Sequence, residues 1–244
     1  MTPRAAQQRR RRVLLTRSDD DNAEWAPQFS AHGTEPVALS CIHSEPIDTP
    51  ALRAALAAAA AEADWIVFTS RRGVDAFAVL GAQPGPRGKI AAVAESTAAA
   101  AKTRLGRVDL IGGGTAALLA GALAASGALA SAPRVLLALA ENAGDVLERE
   151  LGAAGARCTR LDVYRTVPAP SAARKRPLSA LRVDNVVLAS PSAVTGFVQQ
   201  IELDVPVAVI TIGPSTTAAA RHAGLDVTAE ARVPSLEGIL EALQ

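Results

Sequence analysis

Apolar residues fall in short runs separated by stretches in which Ala and Leu recur at helical spacing. The runs Val13–Thr16, Val37–Ile42, Trp65–Thr69, Ile90–Ala94, Val108–Ile111, Val135–Ala140, Leu161–Val167, Asn185–Ala189, Val207–Ile212 and Asp226–Ala229 are mostly apolar on both faces. That is the pattern of strands covered by helices on either side. The spacing predicts helices over Asp20–His32, Thr49–Ala63, Val74–Leu80, Thr97–Leu105, Ala116–Leu123, Asp145–Ala154, Ala193–Ile201, Thr216–Ala223 and Leu236–Leu243. Regular strand–helix alternation predicts an α/β protein with largely parallel sheets. Ten strands are many for one small sheet and point to two.

An internal repeat supports two. Ile66–Phe77 parallels Val186–Phe197 at an offset of 120 residues, and Glu95-Ser96-Thr97-Ala98-Ala99 parallels Pro214-Ser215-Thr216-Thr217-Ala218 at 119. Thr115 falls opposite Ser235 at 120, and Val13-Leu14-Leu15 opposite Val135-Leu136-Leu137 at 122. Four blocks at nearly one offset indicate two similar units and an ancient duplication. A cleft between two such lobes is a common place for a ligand. The two longest strand-like stretches, Val37–Pro46 and Thr159–Pro168, both end in Pro and occupy equivalent places in the repeat. They could form a two-stranded connection; the repeat arithmetic leaves open whether each unit is contiguous.

Charge and composition narrow the function. Twenty-five Lys and Arg against 24 Asp and Glu leave a net charge of +1, which argues against general nucleic-acid binding. Aromatic residues are 3% of the chain, too few for base-stacking platforms. Alanine occupies 54 of 244 positions, as expected where helix surfaces are filled with the best helix former. Arg9-Arg10-Arg11-Arg12 precedes only three apolar residues, so residues 1–12 read as a disordered basic tail rather than a signal peptide. The most membrane-like segment, Ala116 to Ala130, is shorter than the ~20 residues a span needs. With only Cys41 and Cys158, a cytoplasmic protein with reduced thiols is expected.

The chemistry concentrates after the strands. Arg17-Ser18, Thr69-Ser70, Glu95-Ser96-Thr97, Gly112-Gly113-Gly114-Thr115, Ser190-Pro191-Ser192 and Gly213-Pro214-Ser215-Thr216 each join a strand end to a helix start. Ser and Thr there cap helices, which any α/β protein requires. The alternative is that several exposed helix N-termini on one rim receive a polyanion through backbone N–H groups and helix dipoles. The number of such junctions favours this second reading. The Gly run lacks the spacings of nucleotide-binding loops. The histidines, His32, His43 and His222, are scattered, and no Cys/His metal spacing occurs. Glu95 and Glu141 follow strands, but two isolated carboxylates do not make an acid–base pair.

The sequence resembles the uroporphyrinogen-III synthase family. The matching blocks are Val67-Phe68-Thr69-Ser70 with Gly73-Val74 and Ala76-Phe77, Gly113–Leu118, Val163–Pro168, Ser190–Val194 with Phe197, Ile212–Thr216, and Pro234–Gly238. The resemblance implies two flavodoxin-like parallel-sheet domains joined by a two-stranded β-ladder. One domain would be discontinuous, residues 13–36 with 169–244. Residues 37–48 and 157–168 would be the linker strands, and 49–156 the second domain. It further implies cyclisation of hydroxymethylbilane to uroporphyrinogen III without cofactor, with inversion of ring D and loss of water; the missing ligand clusters add the expectation of no metal, and two thin connections between lobes that of a monomer. Tyr164, the only tyrosine, would be catalytic, or else a packing residue of the ladder. Arg17, Ser70, Arg71, Gly114, Thr115, Ser190, Gly213, Ser215 and Thr216 would hold the eight substrate carboxylates. Arg71-Arg72, Ala94 and Leu139 depart from the family's pattern. A non-enzymatic two-lobed anion sensor would share lobes and helix ends; the Tyr164 and Gly-Gly-Thr contexts favour the enzyme.

Overall fold

The computed structural model describes residues 9–171 and 173–244. The chain runs β1 (Arg12–Leu15), α1 (Asp19–Ala31), β2 (Glu35–Ala38), β3 (Ile42–Pro46), α2 (Pro50–Glu62), β4 (Trp65–Phe68), α3 (Arg71–Val79), β5 (Lys89–Ala92), α4 (Glu95–Leu105), β6 (Leu110–Ile111), α5 (Ala116–Ala125) and β7 (Arg134–Ala140). It continues through α6 (Val146–Ala153), β8 (Arg157–Pro168), β9 (Arg176–Pro177), β10 (Asn185–Leu188), α7 (Pro191–Gln200), β11 (Ile201–Glu202), β12 (Ala208–Thr211), α8 (Pro214–His222), β13 (Val227–Glu230) and α9 (Leu236–Ala242). Two compact units divide it: one through His43 together with Thr166–Gln244, the other Ser44–Arg165. Both divisions fall inside strands, β3 and β8.

The first unit holds a parallel sheet ordered β13-β12-β10-β1-β2, which counted within the unit is 2-1-3-4-5, the flavodoxin order. In the second, β8-β7-β4-β5-β6 are parallel neighbours and β3 adds an edge strand beside β8. Its own order is 3-2-1-4-5. The internal repeat reconciles the two: β1 matches β7, β10 matches β4 and β12 matches β5, and each pair sits at the same place in its sheet. The units are therefore circular permutants of one architecture.

Strand alternation divides each core into two layers. Ile66 and Phe68 face one side with Leu136 and Ala138, packed under α2, α3 and α4. Trp65 and Val67 face the other with Val135, Leu137 and Leu139, under α5 and α6. In the first unit Leu14, Val186 and Leu188 meet Phe197, while Val13, Leu15 and Val187 meet Trp25, Phe29 and Ile239. Helices after adjacent strands thus leave to opposite faces at β4/β7 and at β10/β1. Crevices at such switch points, outside the carboxyl ends of the strands, are where α/β sheets place ligands.

Two expectations are corrected. The apolar run Val37–Ile42 is not one strand. The chain leaves β2 after Ala38, and Leu39-Ser40-Cys41 is anchored by Leu39 N–H to Leu15 O at 3.0 Å and Cys41 N–H to Thr16 O at 3.3 Å. Cys41 is buried in the core of the first unit with Leu39 packed partly against it, which accounts for the apolar residues on either side of Ser40. At the other end of β1, the expected tail 1–12 gives way to structure before its limit. Arg12 opens β1 and donates to Asp184, Arg9 pairs with Asp184 at 2.6 Å, and Arg11 donates to Leu243 O at 2.6 Å. Residues 1–8 lie outside the described residues.

Candidate functional site

β4 ends at Phe68, and Thr69-Ser70 turns the chain into α3. Ser70 caps the helix, its Oγ accepting the Gly73 N–H at 3.0 Å. Gly73 admits this geometry because α3 sits tightly on the sheet: a Cβ there would lie 3.0 Å from the Ala138 carbonyl of β7. Tyr164 comes from β8, opposite Ala140 at the end of β7. Its ring is buried in the α3-side core, 8% exposed, and its hydroxyl lies 2.9 Å from Ser70 Oγ. Residues 94 apart in sequence therefore share one hydrogen bond at the switch point of the second unit.

Beside them is an open cavity of about 230 Å³, lined by Tyr164, by Ser44, Glu45 and Pro46 of β3, and by Arg72 and Asp75 among the α3 residues. Its acids are partnered: Arg165 lies 2.7 Å from Glu45 and Arg104 lies 2.8 Å from Asp75. Two larger cavities among the described residues lie at Leu203–Asp226 and around Arg11 and Gln244, away from the carboxyl ends of the strands.

The starts of α5 and α7 are capped in the same way, whereas α8 has no side-chain cap. Gly112 and Gly113 lie against Leu119 and Leu118 so closely that a Cβ would come within 2.8 and 2.9 Å. Gly114 takes φ +95°, a region that favours glycine, and Thr115 then caps α5 by accepting Leu118 N–H at 3.2 Å. Gly113, Gly114 and Thr115 are exposed. In the first unit Ser190 caps α7, accepting Ala193 N–H at 3.1 Å. Gly213 opens α8, its carbonyl accepting from Thr216 and Thr217 at 3.1 and 3.0 Å. Ser215 is exposed, but Thr216 is 1% exposed. The expectation of a Thr216 hydroxyl offered to a ligand is corrected: the turn of α8 points that side chain into the core.

The two arginines differ. Arg17 stacks 4.2 Å over the Trp25 ring and lies 3.3 Å from Asp21, so it is committed within its own unit. Arg71 is exposed as the first residue of α3. Electrostatics also sort the helix ends. α1 carries Asp19, Asp20 and Asp21 in its first turn and α4 carries Glu95, which oppose an anion. α3, α5, α7 and α8 carry no acid there. These are the helices that begin after Ser70, Gly114, Ser190 and Gly213.

Two residues were not among the site candidates read from the sequence. Ser235 caps α9, accepting Gly238 N–H at 3.1 Å, at the place Thr115 holds in the second unit. The 120-residue offset marked it, although Glu237 in the same turn makes that end less receptive. Arg72 reaches the Tyr164 cavity; the helical spacing 72, 75, 76, 79 is the signal that puts it on that face. Both cysteines are free. Burial pushes the Cys41 thiol up to about 12, and burial with the Glu148 charge raises Cys158. Among the described residues no three His, Cys, Asp or Glu side chains gather as a metal site, and no helix is long and apolar enough to cross a membrane.

A family model, uroporphyrinogen-III synthase HemD, matches residues 23–241. The chain belongs to the uroporphyrinogen-III synthase family. Membership implies a tetrapyrrole substrate. A search of curated proteins found no match. Among solved structures, the uroporphyrinogen-III synthetase from Helicobacter pylori is 17% identical, with 96% of this chain and 97% of that chain covered and a TM-score of 0.52. A mutant uroporphyrinogen III synthase from the extremely thermophilic bacterium Thermus thermophilus is 20% identical over 95% of this chain and 96% of that chain, with a TM-score of 0.48. The likeness to the Helicobacter protein is one of fold: two α/β domains of the synthase family.

Proposed function

We propose that this chain converts hydroxymethylbilane to uroporphyrinogen III, as a cytoplasmic monomer needing no metal or organic cofactor. The observation that carries the reading, beside family membership, is the only tyrosine of the chain held at a switch point with its hydroxyl on Ser70. The Tyr164 hydroxyl hydrogen-bonds the departing hydroxyl of the substrate. The C–O bond breaks, oxygen leaves with the bonding pair and becomes water, and an azafulvene cation remains. The substituted carbon of ring D attacks the cationic carbon to give a spiro pyrrolenine, which fragments and recloses with ring D inverted. Each unit offers its own carboxylate receptors: backbone N–H groups at the starts of α3 and α5 with Arg71 and the Ser70 and Thr115 hydroxyls in the second, and at the starts of α7 and α8 with the Ser190 and Ser215 hydroxyls in the first. Holding a flexible chain in one reactive shape supplies several kcal/mol, up to about 7–11 in ideal cases.

The test is a coupled assay with porphobilinogen and the preceding deaminase, followed by isomer analysis of the oxidised product. Isomer III dependent on this protein supports the proposal. Formation of isomer I alone, the product of unassisted closure, refutes it and favours a binding role.

A further inference from the structure

The Ser70–Tyr164 contact contains two hydroxyl protons but one hydrogen bond, and the way it is resolved decides what Tyr164 can do. Ser70 Oγ already accepts the Gly73 N–H at 3.0 Å. Its own proton is not used by that contact. Tyr164 Oη lies 2.9 Å away. If Tyr164 donated to Ser70, its proton would be spent inside the protein and only an oxygen lone pair would face a ligand. If Ser70 donates, the chain runs from Gly73 N–H to Ser70 Oγ–H to Tyr164 Oη–H, and the tyrosine proton is left for a ligand. Hydrogen bonds aligned in this way polarise one another. The α3 N-terminus adds its partial positive charge at the head of the chain, with no acidic side chain in its first turn to cancel it.

We propose that Ser70 is a positioning residue for the reaction: it donates to Tyr164 Oη, so that the Tyr164 proton is aimed at the departing hydroxyl. This rests on the synthase reading above and reassigns Ser70 from carboxylate contact to support of the tyrosine. The balance is simple. The substrate C–O bond breaks, the oxygen takes the bonding pair and the Tyr164 proton and leaves as water. The phenolate oxygen is held by the Ser70 O–H until a proton returns. That proton comes from the terminal ring carbon, which must lose its hydrogen to restore aromaticity once the macrocycle closes. No oxidant, metal or co-reactant enters.

The geometry requires both roles of Ser70 to coexist, and this makes them separable. Ser70→Ala removes the cap and the donor together. Ser70→Thr keeps a hydroxyl that can cap and donate. Tyr164→Phe removes the group through which Ser70 is argued to act. The experiment measures kcat and KM for isomer III formation by the wild type, Ser70→Ala, Ser70→Thr, Tyr164→Phe and the double variant Ser70→Ala/Tyr164→Phe, with thermal melts of each. The expected result is a kcat about 2- to 12-fold lower for Ser70→Ala with KM nearly unchanged, the size of one neutral hydrogen bond. Ser70→Thr recovers most of the loss. In the Tyr164→Phe background Ser70→Ala has no further effect on kcat. An equal fall of kcat in both backgrounds overturns the proposal, as does a change confined to KM, which would make Ser70 a direct substrate contact. If the wild type forms no isomer III, the synthase reading itself fails and this inference falls with it; an active wild type with independent effects sinks the inference alone.

Discussion

Replacing Gly196 by alanine inverts the usual helix rule. Gly196 lies inside α7, where Gly→Ala ordinarily gains about 1 kcal/mol of helix propensity. Here a Cβ would lie 1.8 Å from the Cys41 carbonyl oxygen and 2.8 Å from its carbon. Real contacts of that kind do not come under 3.0 Å, so the backbone must part by at least 1.2 Å (3.0 − 1.8). Cys41 O also accepts the Ala169 N–H at 2.8 Å, and Cys41 N–H reaches Thr16 O at 3.3 Å, so the segment cannot retreat without stretching both. Overpacking costs about 1–3 kcal/mol and a weakened hydrogen bond about 0.5–1.5. Set against the ~1 kcal/mol propensity gain, the net is a destabilisation of about 1–3 kcal/mol. Gly121 provides the control: it lies inside α5 with nothing within 4 Å of the position a Cβ would take, so Gly121→Ala should be neutral or gain up to ~1 kcal/mol. Urea denaturation of the two variants and the wild type reads the difference directly. A Gly196→Ala protein as stable as wild type would refute the claim that the segment between β2 and β3 is locked onto α7.

Tyr164→Phe keeps the buried ring and should lower turnover by roughly 10²–10⁴ while leaving the melting temperature near wild type; unchanged turnover with a lowered melt would make Tyr164 a packing residue. Thr115→Pro removes a backbone donor at the start of α5 and should weaken uroporphyrinogen III binding more than Thr115→Ala, measured by titration at two salt concentrations. Arg17→Ala should lose stability through the Trp25 stack, about 0.5–1 kcal/mol, and change product affinity little. Cys41, with its thiol at about 12, should resist alkylation at pH 8 in the folded protein and react in urea, as mass mapping would show. The hydrogen bond from Arg53 holds the Asp48 carboxyl below its usual value, so the pair's contribution is present above about pH 4 and disappears as pH falls through the depressed value. Asp48→Asn should therefore lower the melting temperature slightly at pH 6, with the difference from wild type shrinking as pH falls through the depressed value.

What the amino-acid order determines by itself is local. Apolar runs on both strand faces mark Trp65–Phe68 and Val135–Ala140, because strands buried between helices need both faces apolar. Ser70, Thr115 and Ser190 mark helix starts, because an unpaired helical N–H takes the nearest side-chain oxygen. The 120-residue offset marks two related units, because duplicated sequences keep their element spacing. The remainder depends on which strands lie side by side, and strand pairing carries no local signature. The break at Leu39-Ser40-Cys41 was illegible since burial against a neighbouring layer keeps a turn as apolar as a strand. Ser215 and Thr216 looked alike until the rotation of α8 sent one outward and the other into the core. The 94-residue reach from Ser70 to Tyr164 exists only because β8 lies beside β7 and β7 beside β4, an order set by long-range packing rather than by any residue within either block.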